Sequence, residues 1–116
     1  MKIVALDDVE KTRPEMEGAE GIFKQLPISG QDGSPNFSFR VFTIEAGGHT
    51  PYHRHPFEHL NYIIEGRGFL VTETGEKRPV RKGDFALVLP DEKHQYQNGS
   101  SDEPLVMICA VPKEYE

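Results

Sequence analysis

Short runs of β-branched and aromatic residues, each closed by glycine or proline, fill the chain from residue 36 to residue 112. Strands favour such residues, and glycine or proline between the runs indicates tight turns. No stretch in this range carries a sustained apolar stripe with the period of an α-helix. The pattern predicts an all-β sandwich or barrel. The expected strands cover residues 37–44 (ended by Gly47 and Gly48), 59–65, 69–74, 76–80, 85–89, 93–97 and 105–111, with a further strand at 21–28.

The length of 116 residues predicts one domain that can bury a core of its own. We expect residues 1–35 to form an N-terminal arm with one or two strands, packed on the barrel or on a partner chain. Residues 36–116 are expected to form the barrel itself. A single cysteine, Cys109, gives no intramolecular disulfide framework. The N-terminal apolar patch ends at once in acidic residues, unlike a signal peptide, so a cytoplasmic location is the default expectation.

The charge balance argues against two classes of partner. The net charge is −6, and no cluster of lysine and arginine could neutralise nucleic-acid phosphates or bind an anionic membrane surface. The longest apolar run, residues 105–111, is too short to cross a bilayer. A small molecule is therefore the expected partner.

Histidines are the residues that point to chemistry. Four of the five lie close together, at His49, His53, His55 and His59, while His94 is distant in sequence. On an extended backbone positions i and i+2 point to the same face, so His53 and His55 could reach one point inside a barrel. A local pair completed by distant ligands is common in metal sites, but on spacing alone an accidental surface pair is an equal alternative.

The segment from Gly47 to Gly66 resembles the first motif of the cupin superfamily. That motif has a glycine, five residues, His-x-His, three or four residues, a glutamate, six residues and a second glycine. The two glycines, His53 and His55 match it. His59 stands where the family usually has its glutamate ligand.

The segment from Gly83 to Asn98 is similar to the second cupin motif. His94 follows the glycine by eleven residues, and the asparagine lies four residues further on. Two positions depart from the pattern, because Pro90 is shifted by one residue and Asp91 replaces the internal glycine. Together the two motifs and their flanking strands cover about two-thirds of the chain.

The resemblance implies a double-stranded β-helix, the jelly-roll barrel of cupins, and a homodimer. It also implies one divalent transition metal held by His53, His55, His59 and His94, with manganese the first expectation and iron the next. Zinc, nickel, cobalt and copper also suit imidazole ligands. Four neutral imidazoles would leave the charge of the ion uncompensated, which favours an electrophilic M(II) state. Glu58 remains an alternative ligand, although its neighbour His59 should point to the opposite face.

Strand parity and the resemblance suggest a pocket wall. Tyr96 shares a face with His94, and Arg40, Met107, Cys109 and Val111 are the other expected lining residues. An inward arginine requires an anionic partner, either a carboxylate of this chain or a carboxylate substrate. Cys109 is expected to be a buried apolar thiol rather than a nucleophile. His49 is expected in a loop near the barrel mouth.

Three function classes fit these expectations. A metal-dependent oxidoreductase, a dioxygenase or a peroxide-using oxygenase acting on a small, partly apolar molecule, is the first. A non-redox isomerase, cyclase or lyase is the second, and a non-catalytic ligand-binding module is the third. The sequence shows no clear second carboxylate to act as a general base, which favours the oxidoreductase. A sensor would normally be fused to a DNA-binding domain, for which 116 residues leave no room.

Overall fold

The computed structural model describes all 116 residues and consists of eight β-strands with short connections. Its only helices are 3-10 helices at Leu6–Asp8, Gly30–Asp32 and Lys113–Tyr115, and no helix is long and apolar enough to cross a membrane. The all-β prediction is confirmed. The strands are β1 (Glu20–Ile28), β2 (Phe37–His49), β3 (His59–Glu65), β4 (Arg67–Val71), β5 (Lys77–Arg81), β6 (Phe85–Val88), β7 (Gln95–Asn98) and β8 (Leu105–Pro112).

One curled antiparallel sheet contains all eight strands. Its order is β5-β4-β7-β2-β8-β3-β6, and β1 pairs with β2 outside this path. β8 is an interior strand, because it pairs with β2 from Phe37↔Pro112 to Ile44↔Leu105 and with β3 on its other side. The curl places the inward faces of β2, β3, β7 and β8 around one interior, as the barrel prediction requires.

Alternation along β8 shows how the interior is built. Leu105, Met107, Cys109 and Val111 are almost fully buried, whereas Ile108 between them is partly exposed. Because successive side chains of a strand point to opposite faces, this odd-numbered set forms one wall of the core. The core is completed by Ile22, Phe42, Ile44, Ile63 and Tyr96 from the neighbouring strands.

The structure corrects three strand boundaries. Gly47 and Gly48 do not end β2, which continues to His49 and pairs with Glu20 of β1. A Cβ on Gly48 would lie 2.6 Å from the Glu20 carbonyl oxygen, so glycine permits the close approach of the two strands. The predicted hairpin around Gly75 has a longer connection, residues 72–76, because β4 ends at Val71 rather than at residue 74. β7 begins at residue 95 rather than 93.

The N-terminal segment packs on the barrel of its own chain. β1 pairs with β2 from Glu20↔His49 to Ile28↔Phe39. Thr12, which precedes β1, forms a single antiparallel bridge with Lys24 of β1. After β1, Gly30–Asp32 forms a 3-10 turn, which Ser29 caps through its side chain.

Candidate metal centre and cavity

An isolated backbone bridge brings the distant histidine to the His-x-His segment. The His53 N–H donates to the His94 carbonyl at 3.1 Å, and the His94 N–H donates to the His53 carbonyl at 2.9 Å. The Asp91 N–H also donates to the His55 carbonyl at 2.8 Å. These bonds hold the loop after β2 against the loop before β7. His53, His55 and His94 are therefore positioned by backbone pairing.

The three histidines converge on one point. Ligand atoms of His53, His55 and His94 all lie within 4.8 Å of one another. The ring of His59 lies beside them, 4.2 Å from the His55 ring and 5.4 Å from the His94 ring between centroids. The structure thus groups three of the four expected ligands tightly, with the fourth ring at the edge of the group.

Hydrogen bonds at Nδ1 orient two of the rings. His55 Nδ1 lies 2.8 Å from the Phe57 carbonyl oxygen, and His94 Nδ1 lies 2.8 Å from the Glu92 carbonyl oxygen. A carbonyl only accepts, so each Nδ1 carries the proton and each Nε2 has a free lone pair. His55 Nε2 is buried and has no hydrogen-bond partner. A buried acceptor without a partner, next to two further imidazoles, is the arrangement that a divalent transition metal fits.

Burial holds these imidazoles in their neutral form. It lowers the pKa of His53 to about 4, with further lowering from His94 and His55. It lowers the pKa of His59 to about 2, assisted by the Arg40 guanidinium. The pKa values of His55 and His94 are also lowered by burial, against the raising effect of their backbone hydrogen bonds. Neutral imidazole is the form that binds a metal ion.

The histidines open onto a cavity of about 80 Å³ inside the barrel. Four of the five expected pocket residues line it: Arg40, Tyr96, Met107 and Cys109. A larger hollow of about 630 Å³ near Arg67 and Arg81 lies on the outer surface and contains no histidine. The complete lining of the inner cavity is Met16, Arg40, Phe42, Thr50, His53, His55, Phe57, His59, Asn61, His94, Tyr96, Met107 and Cys109.

Arg40 is buried beside the histidines. Its Nη2 donates to His59 Nε2 at 3.1 Å and to Cys109 Sγ at 3.0 Å. Its Nη1 donates to the Tyr115 carbonyl at 3.4 Å, while its Nε is buried without a partner. The hydrogen bond from Arg40 therefore uses the Nε2 lone pair through which His59 would bind a metal.

Tyr96 is held on the cavity wall by an amide. Its hydroxyl donates to Asn61 Oδ1 at 2.8 Å, and its backbone N–H donates to Thr50 Oγ1 at 2.8 Å. Burial raises the pKa of the Tyr96 hydroxyl, so the phenol stays protonated at neutral pH. Tyr96 can therefore offer its oxygen to a bound molecule as a neutral acceptor.

Three residues considered from the sequence lie away from the cavity wall. His49 is the last residue of β2 rather than a loop residue, which corrects the expectation, and it bonds through Nδ1 to the Thr50 carbonyl. Glu58 is partly exposed, and Val111 is buried in the core. None of the three is among the lining residues, and for Val111 this corrects the expectation. A β8 side chain on the inward face need not reach the cavity, because the residues at the Pro112 end pack against the core.

The lining also contains residues that were not expected from the sequence, among them Asn61, Phe57, Thr50 and Met16. Asn61 lies two positions after His59 on β3, so strand parity alone identifies it as inward. Phe57 stacks on the His55 ring at 4.1 Å between centroids and on Tyr115 at 4.0 Å. Thr50 and Met16 come from irregular segments, for which the sequence carries no comparable signal.

Comparison with known proteins defines the class. Residues 40–111 match the cupin domain family, which is more than half of the chain, and the chain belongs to this family. It is 31% identical over 111 residues to L-ectoine synthase of Mycolicibacterium gilvum (strain PYR-GCK), covering 94% of this chain and 81% of that protein.

Two further relatives differ in their named activities. The structure of the polyketide cyclase RemF from Streptomyces resistomycificus is similar at a TM-score of 0.91 and 27% identity, with 97% of this chain and 79% of that chain covered. Gentisate 1,2 dioxygenase 1 of Aquipseudomonas alcaligenes is 32% identical over 65 residues, or 56% of this chain but 18% of that protein. The family is thus established, while its members differ in reaction.

Proposed function

We propose that this chain is a metal-dependent cupin enzyme that catalyses a non-redox ring closure or dehydration of a small, partly apolar molecule. The proposed ligands of one divalent ion are His53, His55, His59 and His94. The convergence of the imidazoles around the unpartnered Nε2 of His55 is the observation that carries the metal site. Among the relatives that match along almost the whole chain, a synthase and a polyketide cyclase favour the non-redox reaction.

The chain's own residues supply binding and orientation. A bound divalent ion would polarise a carbonyl or enolate oxygen of the substrate as a Lewis acid. Phe42, Phe57 and Met107 line the cavity and would exclude water from an apolar substrate body. Tyr96, fixed by Asn61, would accept a hydrogen bond from a substrate hydroxyl. No aspartate or glutamate lines the cavity, so proton transfer would depend on hydroxyl and imidazole groups.

A metal-dependent oxidoreductase, either a dioxygenase or a peroxide-using oxygenase, is the second candidate. The alignment with gentisate 1,2 dioxygenase 1 over 65 residues favours it. The absence of a carboxylate base from the cavity also favours it over proton-transfer chemistry. Manganese and then iron are the proposed ions for either reaction.

Metal analysis of single-site variants tests the proposed site. We expect one equivalent of a divalent transition metal in the wild-type protein, and a loss of at least tenfold in metal affinity for His55→Ala and His59→Ala. His49→Ala is the matched control, since His49 lies outside the cavity, and it should retain the metal. Metal-free wild-type protein that also fails to bind added Mn(II), Fe(II) or Zn(II) would contradict the proposal. Full metal retention by His59→Ala would reduce the site to three histidines.

Reconstitution with a redox-inert ion separates the two reactions. Zinc-loaded protein is expected to cyclise a short linear keto acid, with a product one water lighter by mass spectrometry. A redox enzyme would instead require Mn or Fe and would consume oxygen or peroxide with a panel of alkenes, diketones and catechols. Oxygen uptake by the Mn or Fe form, with no turnover by the zinc form, would overturn the non-redox assignment in favour of the second candidate.

We further propose that the protein is a homodimer, formed through an apolar face of the sheet. Two rows of neighbouring residues cross β2, β8, β3 and β6 in register. They are Phe39, Ala110, Leu60 and Leu87 in one row and Val41, Ile108, Tyr62 and Phe85 in the other. Leu60 is 51% exposed, Leu87 56% and Phe85 82%, whereas Val41 is buried. The exposed apolar patch therefore centres on β3 and β6. A patch of this kind marks an interaction surface, and a second copy of the same face is complementary to it.

Light scattering after size-exclusion chromatography tests the dimer. The wild-type protein is expected to elute as a dimer, and Leu60→Lys with Phe85→Lys should convert it to a monomer, because charges would be buried in the interface. Tyr52→Lys is the control, since Tyr52 is an exposed aromatic residue outside both rows. A monomeric wild-type protein would refute the proposal.

A further inference from the structure

Arg40 is a buried cation whose partners are all neutral. The side chain is 8% exposed. Its three acceptors are an imidazole nitrogen of His59, the thiol of Cys109 and the backbone carbonyl of Tyr115. Its Nε is buried with no acceptor at all. Arginine stays protonated in proteins, so this charge is permanent.

No carboxylate of the chain forms an ion pair with Arg40. The ion pairs in the structure join Lys2 to Asp32, Arg13 to Glu45 and Arg54 to Glu73, and none involves Arg40. Glu116, next to Tyr115, accepts hydrogen bonds from the Ser38 hydroxyl and the Gly30 N–H instead. The cavity wall itself contains no acidic residue. Buried charges are normally paired, so the missing partner of Arg40 is expected to come from outside the chain.

The position of the guanidinium indicates where that partner would bind. Arg40 Nη2 lies 3.1 Å from His59 Nε2, which is also the atom proposed to bind the metal. One lone pair cannot serve both, so an N–H of Arg40 would need a new acceptor when His59 turns to an ion. A divalent ion added to Arg40 would also raise the positive charge of a cavity that has no acidic residue. Both effects favour an anionic ligand at this place.

We propose that Arg40 binds the carboxylate of a small organic acid in the barrel cavity, and that it thereby selects carboxylic acids as the substrate class. This inference rests on the proposed function for the position of the ligand next to the metal ligands. The cavity of about 80 Å³ corresponds to the liquid volume of roughly three water molecules, which suits only a short acid. Phe42, Phe57 and Met107 would contact its apolar part.

A titration observed at the arginine itself tests the proposal. The ¹⁵N–¹H resonance of Arg40 Nε, assigned by its absence from Arg40→Lys, is followed while propionate is added to metal-free and to zinc-loaded protein. Propionamide, the uncharged analogue of similar shape, is the matched ligand control. We expect saturable shifts with propionate in both forms, at lower concentration when zinc is present, and at least tenfold weaker binding of propionamide.

Variants at two arginines provide the second measurement. Arg40→Gln is expected to weaken propionate binding at least tenfold, and Arg40→Lys less, because lysine keeps the charge without the planar guanidinium. Arg54→Gln is the control, since it removes a positive charge from the same histidine segment, but from a side chain that is exposed and paired with Glu73. It should change propionate binding less than twofold. If Arg40→Gln fails to fold, the wild-type comparison of propionate with propionamide decides alone.

The outcomes separate this inference from the proposed function. Equal binding of propionate and propionamide, or no saturable shift with either, would overturn the role of Arg40 even when the protein binds metal normally. Propionate binding at Arg40 in metal-free protein that takes up no metal would support the anion site and contradict the metal-dependent function. Loss of propionate binding in Arg54→Gln as large as in Arg40→Gln would reduce the effect to general surface charge and overturn the proposal.

Discussion

At the scale of single residues, Asp91 connects backbone conformation to the metal centre. It is the one non-glycine residue with a positive φ, 65°. It stands where the second cupin motif has glycine, and the structure shows why glycine suits the position. Its N–H donates to the His55 carbonyl, so this turn holds the histidine segment in place. Aspartate tolerates the left-handed region better than most residues, which explains how the turn survives the exchange.

Substitutions at Asp91 should differ in stability according to how well the new residue tolerates a positive φ. Asp91→Val is expected to lower the free energy of unfolding by about 1–2 kcal/mol, because a β-branched residue is strained at positive φ. Asp91→Gly and Asp91→Asn should match or exceed the wild-type stability. Urea unfolding followed by circular dichroism measures the difference. Equal stability of the valine and glycine variants would show that the turn relaxes to another conformation.

Predictions for single residues succeeded where they depended on the alternation of side chains along one segment. They did not extend to contacts that depend on the pairing register between strands. The spacing of His53 and His55 predicted a shared direction, with an accidental surface pair as an equal alternative. The motif resemblance added His94, and the structure brings the three histidines together. The contact between Arg40 and His59 depends on how β2 and β3 both align with β8, through Cys109. Register of this kind is set by pairing across the whole sheet, so spacing along the chain does not reveal it.

At the scale of elements, the passage from β3 to β4 is the most tightly constrained. Gly66, between the two strands, has φ 83°, and a Cβ added there would lie 2.1 Å from the Pro104 carbonyl oxygen. The connection therefore packs directly on the segment that leads into β8. This explains physically why the first cupin motif ends in glycine.

A comparison of two glycines separates the cost of a positive φ from the cost of a steric clash when glycine is replaced by alanine. Gly66→Ala is expected to lower the free energy of unfolding by about 2 kcal/mol or more, because it combines positive φ with a backbone clash. Gly75→Ala is the control, since Gly75 has φ 85° but open space around its Cα, and it should cost about 1 kcal/mol. Urea unfolding of both variants measures the gap. Equal losses would mean that Pro104 moves aside without cost.

Strand composition predicted where the strands lie but not how far they extend. All eight strands of the structure correspond to predicted segments. The extension of β2 through Gly47 and Gly48 was missed, because two glycines in a sequence indicate a turn as well as a close contact between strands. The beginning of β7 was placed early, because Lys93 and His94 belong to the loop whose backbone pairs with His53.

At the scale of the whole molecule, the barrel holds a group of neutral imidazoles away from water. The pKa values of His53 and His59 are lowered to about 4 and about 2, chiefly by burial. An unfolded histidine titrates near 6.5. Below that pH the unfolded chain binds more protons than the folded one, so acid favours unfolding of the metal-free protein.

The metal-free protein should lose stability as the pH falls from about 6.5 towards 5, a range in which few carboxylates titrate. Replacing His53 by Gln should reduce this slope, because one group whose pKa is lowered in the folded state is removed. Urea unfolding of both proteins at several pH values provides the comparison. Identical slopes for the two proteins would show that the buried histidines do not control the response to acid.

The sequence predicted the curled all-β architecture of the whole chain, and the family match confirms the cupin class. It did not predict the reaction, because that depends on a cavity whose walls come from β2, β3, β7, β8 and irregular segments together. Thr50 and Met16 illustrate this limit, since neither belongs to a periodic pattern. The small size of the cavity is likewise a property of packing, which composition does not determine.

The paired backbone hydrogen bonds between His53 and His94 have a consequence for the lifetime of the protein. They join two segments that are remote in sequence at the place where both also present imidazoles. An ion bound there would form a reversible crosslink between the two segments at the mouth of the barrel. It would stabilise the folded chain, because it binds the folded chain and not the unfolded one. Resistance to proteases would then rise and fall with the supply of that ion in the surroundings.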